Sequence, residues 1–204
     1  ERKLSERSVN YYNSVIRFMY EVTMDKIINK KQLPMYRKKR KMKIISGTAR
    51  GTKLFTLEGQ TTRPTLDRVK ESLFNIIYDK AIDSTVLDLF SGSGAIGLEF
   101  ASRGAKKVIL CDKSKDAINI INKNIEKTHL KEKIELYNLD YETLLKNKIK
   151  EKMDIIYIDP PYNSNFAIKT VEYIIEKKIA DKNSTIIIET DSEEKILEEL
   201  KKID

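Results

Sequence analysis

At 204 residues, 40% of them hydrophobic and 34% charged, the chain has room for one α/β domain and a short appendage but not for two large domains. No apolar run approaches the roughly 20 residues that cross a bilayer, and the polar first residues read as neither a span nor a secretory signal. A single cysteine, Cys111, excludes an intrachain disulfide and points to a reducing cytoplasm. The net charge of +8 is local: residues 1–41 hold 12 Lys/Arg against 4 Asp/Glu, and the remaining 27 and 27 cancel. The basic character that favours a polyanion therefore lies in the first fifth of the chain, with a weaker lean, 7 against 4, over 42–80.

Residues 1–41 read as a helical extension and linker. From Ser5, a candidate N-cap, to about Lys30, the residues Val9, Tyr12, Ile16, Met19, Val22 and Ile27 fall at helical spacing. Pro34 ends that segment, and Arg37–Lys41 reads as a solvated linker or a nucleic-acid tether. A boundary is placed at 41/42, with a β segment over 42–60 and the main body over 61–204. Within the β segment, Lys43–Ile45 and Lys53–Phe55 flank a turn through Gly47 and Gly51. Helical periodicity then covers 66–80 through Leu66, Val69, Leu73, Phe74, Ile77 and Tyr78. Beyond Asp83 the chain alternates. Strands are predicted at 86–90, 108–111, 134–139, 155–158 and 185–188, and helices at 94–103, 114–126, 141–147, 165–178 and 193–203. Continuous Val/Ile/Leu strands alternating with helices imply an α/β fold, a parallel sheet covered on both faces.

The first of these strands, Val86–Phe90, runs into Ser91-Gly92-Ser93-Gly94-Ala95-Ile96-Gly97. A lone G-x-G-x-x-G is weak evidence, but here a strand precedes it, a helix follows, and Asp112 closes the next strand. Gly92 and Gly94 allow a tight turn and close approach of backbone to ligand. Asp112 is placed to accept hydrogen bonds from ribose hydroxyls, and Asp140, ending the third strand, falls where an adenine would then lie. Two cofactor classes compete. A nicotinamide dinucleotide needs a helix N-terminus for its pyrophosphate, whereas S-adenosylmethionine has no phosphate and brings a sulfonium and an amino-acid end. Asp88, four residues before the first glycine, suits the cationic ligand better.

The fourth strand, Ile155–Ile158, ends in Asp159-Pro160-Pro161-Tyr162. Two prolines remove two backbone donors and fix φ, so the tip is stiff. An amino group on an aromatic ring is a poor nucleophile because its lone pair is delocalised. Accepting one N–H at the Asp159 carboxylate and the other at the Pro160 carbonyl draws the nitrogen toward sp³ and frees that lone pair, with no separate base needed before attack. Tyr162 offers a face on which a base stacks, worth roughly 1–3 kcal/mol.

Asp/Asn-Pro-Pro-Tyr/Phe after Asp-x-Phe-x-Gly-x-Gly is the signature pair of amino-group methyltransferases. From Met42 on, the chain resembles a narrower family, the bacterial 16S ribosomal RNA guanine-N2 methyltransferases (RsmD-like). The matching blocks are Ile44–Gly51, Arg63–Asn75, Leu87–Gly94, Asp159–Tyr162 and Ile188-Glu189. The resemblance covers essentially all of 42–204. It implies a Rossmann-like class I S-adenosylmethionine-dependent methyltransferase, a cytoplasmic monomer acting on 16S rRNA or the assembling 30S subunit, by family at guanine 966. It further implies that Asp88, Phe90, Ser91, Gly92, Gly94, Asp112, Asp140 and Thr65 hold S-adenosylmethionine, the helix opened by Arg63-Pro64-Thr65 closing over it. Asp159, Pro160 and Tyr162 would hold the guanine amino group, and Arg50, Lys53, Arg63 and Arg68 would engage RNA.

Three departures stand out. Residues 1–41 lie outside the family and resemble a piece of a recombinase-type DNA-binding arm. The family continues into a final strand pair where this sequence stops at Asp204 after one helix. The ribose-binding acid, often Glu, is Asp112. His129, alone in a polar stretch, reads as a surface residue, Cys111 as a small buried hydrophobe, and no metal site is expected. Competing readings are an adenine-N6 DNA or glutamine-N5 protein methyltransferase, a nicotinamide oxidoreductase, and a non-catalytic RNA-binding module. The oxidoreductase leaves Asp159–Tyr162 unexplained.

Overall fold

The computed structural model describes residues 42–57, 65–77, 79–161 and 166–190, together with positions 196, 198 and 200; of 65–69 it describes the backbone alone. The extension 1–41, Arg63 and Tyr162 lie outside the described residues, as does most of the helix expected over 193–203, of which Ile196, Glu198 and Leu200 are helical.

Five strands, β1 (Thr85–Leu89), β2 (Lys107–Cys111), β3 (Ile134–Tyr137), β4 (Ile155–Ile158) and β5 (Thr185–Ile188), form one sheet in the order β3-β2-β1-β4-β5, every pair parallel. Parallel neighbours need crossovers, supplied by α2 (Ala95–Ser102), α3 (Lys115–Thr128), α4 (Tyr141–Asn147) and α5 (Phe166–Glu176); α1 (Thr65–Ile76) precedes the first strand. Because strand side chains alternate, each strand feeds two cores. Val86, Val108, Leu110 and Ile155 pack with Leu98 and Phe100 of α2 and Ile121 of α3. Leu87, Leu89, Ile109, Ile156 and Ile158 pack with Leu144 of α4 and Ile174 of α5. Each such side chain, fully buried, contributes about 1.5–3 kcal/mol.

The α/β reading of the sequence is therefore the observed fold. Its element boundaries shift by a few residues. Strand β1 stops at Leu89 because Phe90 turns to φ +61°, β3 stops at Tyr137, two residues early, and α1 ends at Ile76 rather than 80. The β segment at 42–57 is slighter than expected. One antiparallel bridge, Lys43 to Lys53, closes a turn in which Gly47 and Gly51 have φ +81° and +86°. This hairpin-like segment is held to the body by a buried ionic knot. Glu99 of α2, fully buried, accepts the Ile45 and Ser46 N–H groups at 2.8 and 2.9 Å and pairs with Lys70 and Arg103 at 3.2 and 2.9 Å. Lys70 Nζ also donates to the Lys43 carbonyl. A side chain at 47 would place its Cβ 1.8 Å from the Ser102 carbonyl oxygen, so the turn can rest on α2 only as glycine.

Candidate functional site

Sheet order reverses between β1 and β4, and open α/β sheets bind ligands beyond the strand C-termini at such a point. A cavity of about 1120 Å³ lies there, lined by Asp88, Phe90, Ser91 and Gly92 at the end of β1 and by Asp159 and Pro160 at the end of β4. Asp112 and Asp140 line it as well, from beyond β2 and β3. The two motifs read separately in the sequence thus share one cavity.

The turn after β1 is built from three departures at alternate positions, Phe90, Gly92 and Gly94 at φ +61°, +56° and +75°. The first costs energy in a bulky residue and is retained where its surroundings fix it. Ser91 supplies that fixing. Its N–H donates to Cys111 O at 2.9 Å, its hydroxyl donates to Asp88 O at 2.7 Å, and its Oγ accepts the Cys111 N–H at 3.0 Å. Among the described residues a Cβ on Gly92 would meet no atom within 4 Å, so that glycine leaves open space toward the cavity. Gly94 does not line the cavity; it is the left-handed N-cap of α2, its Cβ position 3.3 Å from Ile121. Gly97 lets α2 press on β2, since a Cβ there would sit 2.2 Å from Leu110 Cδ2.

The acids are not equivalent. Asp88 is buried, and Oδ2 accepts the Gly97 N–H at 2.9 Å, capping a helix whose N-cap glycine has no side chain. Its Oδ1 is buried without a hydrogen-bond partner among the described residues. Burial, together with Asp159 and Asp112 nearby, pushes its pKa up to about 8. Asp112 accepts the Gly92 and Ser114 N–H groups at 2.9 and 2.8 Å, one on each oxygen, which leaves lone pairs of both for a ligand. Asp140, placed by the sequence reading at the end of a strand, lies three residues past β3. It caps α4, taking the Thr143 N–H on one oxygen and the Thr143 hydroxyl on the other, at 2.9 and 2.6 Å; these bonds, the hydroxyl foremost, lower its pKa. Asp159 is pushed up to about 7, first by burial and then by Glu189.

Several site residues were given no role by the sequence reading, Glu189 among them although Ile188-Glu189 is one of the matching blocks. Glu189 follows β5 and its N–H bonds Ile158 O at 2.9 Å, so its carboxylate stands beside the Asp159 tip; it also accepts the Tyr157 hydroxyl. Burial and Glu189 hold the Tyr157 phenol well above its usual pKa. Its signal was a carboxylate directly after the fifth strand. Tyr141 and Phe166 join Phe90 in an aromatic cluster on the cavity wall, with ring centroids 5.3, 5.6 and 6.3 Å apart.

Of the expected RNA contacts, Arg50 and Lys53 are exposed on the hairpin, outside the cavity lining. Thr65 and Arg68 lie on α1 with side chains outside the described residues, as are Arg63 and Tyr162 altogether. His129 is the exposed, left-handed C-cap of α3. Cys111 is buried and its thiol is pushed up to about 12 by burial, which leaves it an unreactive core residue.

A doubly wound sheet of this order, with a glycine turn after its first strand, has the fold of a Rossmann-like class I methyltransferase. Residues 42–204 match the family described as Conserved hypothetical protein 95, and the chain belongs to this family, that of the RsmD-like methyltransferases. A Haemophilus influenzae protein named Ribosomal RNA small subunit methyltransferase D is 34% identical over 161 residues, 78% of this chain and 83% of that protein. The solved structure of yhhF from Escherichia coli superposes with a TM-score of 0.66 at 30% identity, covering 72% of this chain and 80% of that one. A Release factor glutamine methyltransferase from Borreliella burgdorferi is 47% identical over 77 residues, 38% of this chain and 26% of that protein.

Proposed function

We propose that this protein transfers a methyl group from S-adenosylmethionine to the exocyclic N2 amino group of a guanine in 16S rRNA, guanine 966 by family resemblance, during small-subunit maturation. The observation that carries the proposal is the single cavity that holds both the Asp88/Gly92/Asp112 wall and the Asp159-Pro160 tip. The cofactor fits the residues present. The unpartnered Asp88 Oδ1 belongs to a buried carboxyl that a cationic ligand would draw into its charged form, the open face of Gly92 leaves room for it, and Asp112 retains acceptor capacity for hydroxyls. A pyrophosphate would instead face a cavity lined by acidic side chains, Asp112, Asp140 and Asp159 among them. When bound, S-adenosylmethionine supplies an electrophilic methyl on its sulfonium.

The chain's own residues do the rest. Asp159 and the Pro160 carbonyl accept the two N–H hydrogens of the target amine and free its lone pair. The aromatic wall of Phe90, Tyr141 and Phe166 excludes water, which strengthens those bonds. With its pKa near 7, Asp159 can take the proton that the methylated nitrogen sheds. Calorimetric titration tests the cofactor assignment. S-adenosylhomocysteine should bind and NADH should not, with Asp112→Ala weakening binding by about 1.5–3 kcal/mol. Binding of NADH alone would overturn it. The glutamine-methyltransferase likeness makes a protein substrate the second reading. Counting tritiated methyl in RNA and in protein after incubation with ribosomal particles separates the two.

A further inference from the structure

Asn124 of α3 is fully buried, 69 residues from one partner and 31 from another, and no step of the proposed reaction uses it. Its amide takes both backbone groups of Phe55, Oδ1 accepting the N–H at 2.8 Å and Nδ2 donating to the carbonyl at 3.0 Å, as a neighbouring strand would. The second hydrogen of Nδ2 goes to the Ser93 carbonyl, inside the glycine turn, at 2.9 Å. One side chain therefore spans two segments remote in sequence. The same two segments meet again where Ser93 Oγ lies 3.5 Å from Met42 Sδ, and Met42, Leu57 and Ser93 all line the cavity. The hairpin is anchored independently at its other end by Ser102, whose Oγ accepts the Ala49 N–H at 3.0 Å and donates to Ser46 O at 2.6 Å without touching the glycine turn.

We propose that Asn124 is a positioning residue for the cofactor: it locks the hairpin segment and the glycine turn into one piece, so that the cavity wall formed by Met42 and Leu57 stays seated against Ser93. An asparagine is required because only a carboxamide offers one acceptor and two donors in a plane. The segment carrying the exposed Lys43, Arg50 and Lys53 is thereby mechanically continuous with the cofactor site. A change of only a few tenths of an ångström at the Ser93 carbonyl would be felt at Gly92, the preceding residue, which lines the cavity. The inference rests on the cofactor reading given above, and the closing experiment keeps the two apart.

The probe is S-adenosylhomocysteine, titrated calorimetrically into the full chain, with a thermal melt for each variant. Asn124→Ala removes all three bonds. Asn124→Asp keeps the acceptor for the Phe55 N–H but sets a carboxylate oxygen against both the Phe55 and the Ser93 carbonyls, so it removes the two donor bonds while leaving the acceptor bond in place. Ser102→Ala loosens the hairpin at its other anchor. Affinities are compared well below the lowest melting midpoint. Both Asn124 variants should bind the probe about 10-fold more weakly, the effect of losing one to two hydrogen bonds, while Ser102→Ala stays within about 2-fold despite a comparable fall in midpoint. Folded Asn124→Asp with wild-type affinity, or an equal loss in Ser102→Ala, would overturn the proposal. Failure of the wild-type chain to bind the probe would instead sink the cofactor reading on which it stands.

Discussion

Asp159 and Asp88 face one cavity but are asked for different work, and substitution separates them. Asp159→Asn keeps the shape and one carbonyl acceptor while removing the charge that stabilises a nitrogen gaining positive character. Single-turnover rates should fall by about 10²-fold or more with cofactor affinity nearly unchanged. A near-normal rate would make the carboxylate structural. Tyr162→Ala should raise KM for RNA as well as slow the chemistry, and Tyr162→Phe, which keeps the ring, should stay close to wild type. Asp88 is held protonated by its surroundings. Its pKa is about 8 in the folded chain against an ordinary 3.8, so the folded state binds a proton that the unfolded state releases between those values. Stability linked to it is complete below about pH 4 and declines as pH rises toward 8. Asp88→Asn, neutral throughout, should gain on wild type over that window by a few kcal/mol in order of magnitude and should bind the cationic cofactor less well. Thermal melts from pH 5 to 9 check this; parallel curves for the two proteins would contradict it.

Among the elements, the hairpin segment is held in part by a buried ionic knot. Glu99→Gln keeps an acceptor for only one of the Ile45 and Ser46 N–H groups, sets an NH2 against the other, and leaves Lys70, whose side chain is 3% exposed, beside a neutral partner. Breaking a buried pair in this way costs about 3–5 kcal/mol, and denaturant unfolding should show a loss of that size. A loss below about 1 kcal/mol would mean the pair behaves as a surface one. The strands were legible because Val108–Cys111 or Ile155–Ile158 is apolar without a break, which only a doubly covered strand tolerates. The glycine turn was legible because strand, turn and helix are contiguous. What stayed hidden was held together across the chain. Glu99 in the helix Ala95–Ser102 looks like an ordinary charged residue until the hairpin, more than 50 positions earlier, closes over it. Asn124 is hidden for the same reason. Asp140 was a different kind of miss. The local sequence Asp140-Tyr-Glu-Thr143 carries an N-cap signal, and the strand-tip expectation overrode it.

For the whole molecule, the charge distribution sets a test of its own. The entire net +8 lies in residues 1–41, so deleting them should weaken nonspecific RNA binding and flatten its salt dependence, while residues 42–204, the extent of the family match, retain methyl transfer. A folded but inactive truncation would make the extension part of the enzyme. The reading of the molecule as a guanine-N2 methyltransferase meets its most direct test in the product. The full chain is incubated with tritiated S-adenosylmethionine and 30S particles that lack the modification, and the 16S rRNA is digested to nucleosides and separated. The label should co-migrate with N2-methylguanosine, and Asp159→Asn should abolish it within the time of the wild-type reaction. Label in N6-methyladenosine, or in ribosomal protein with none in RNA, would contradict that reading.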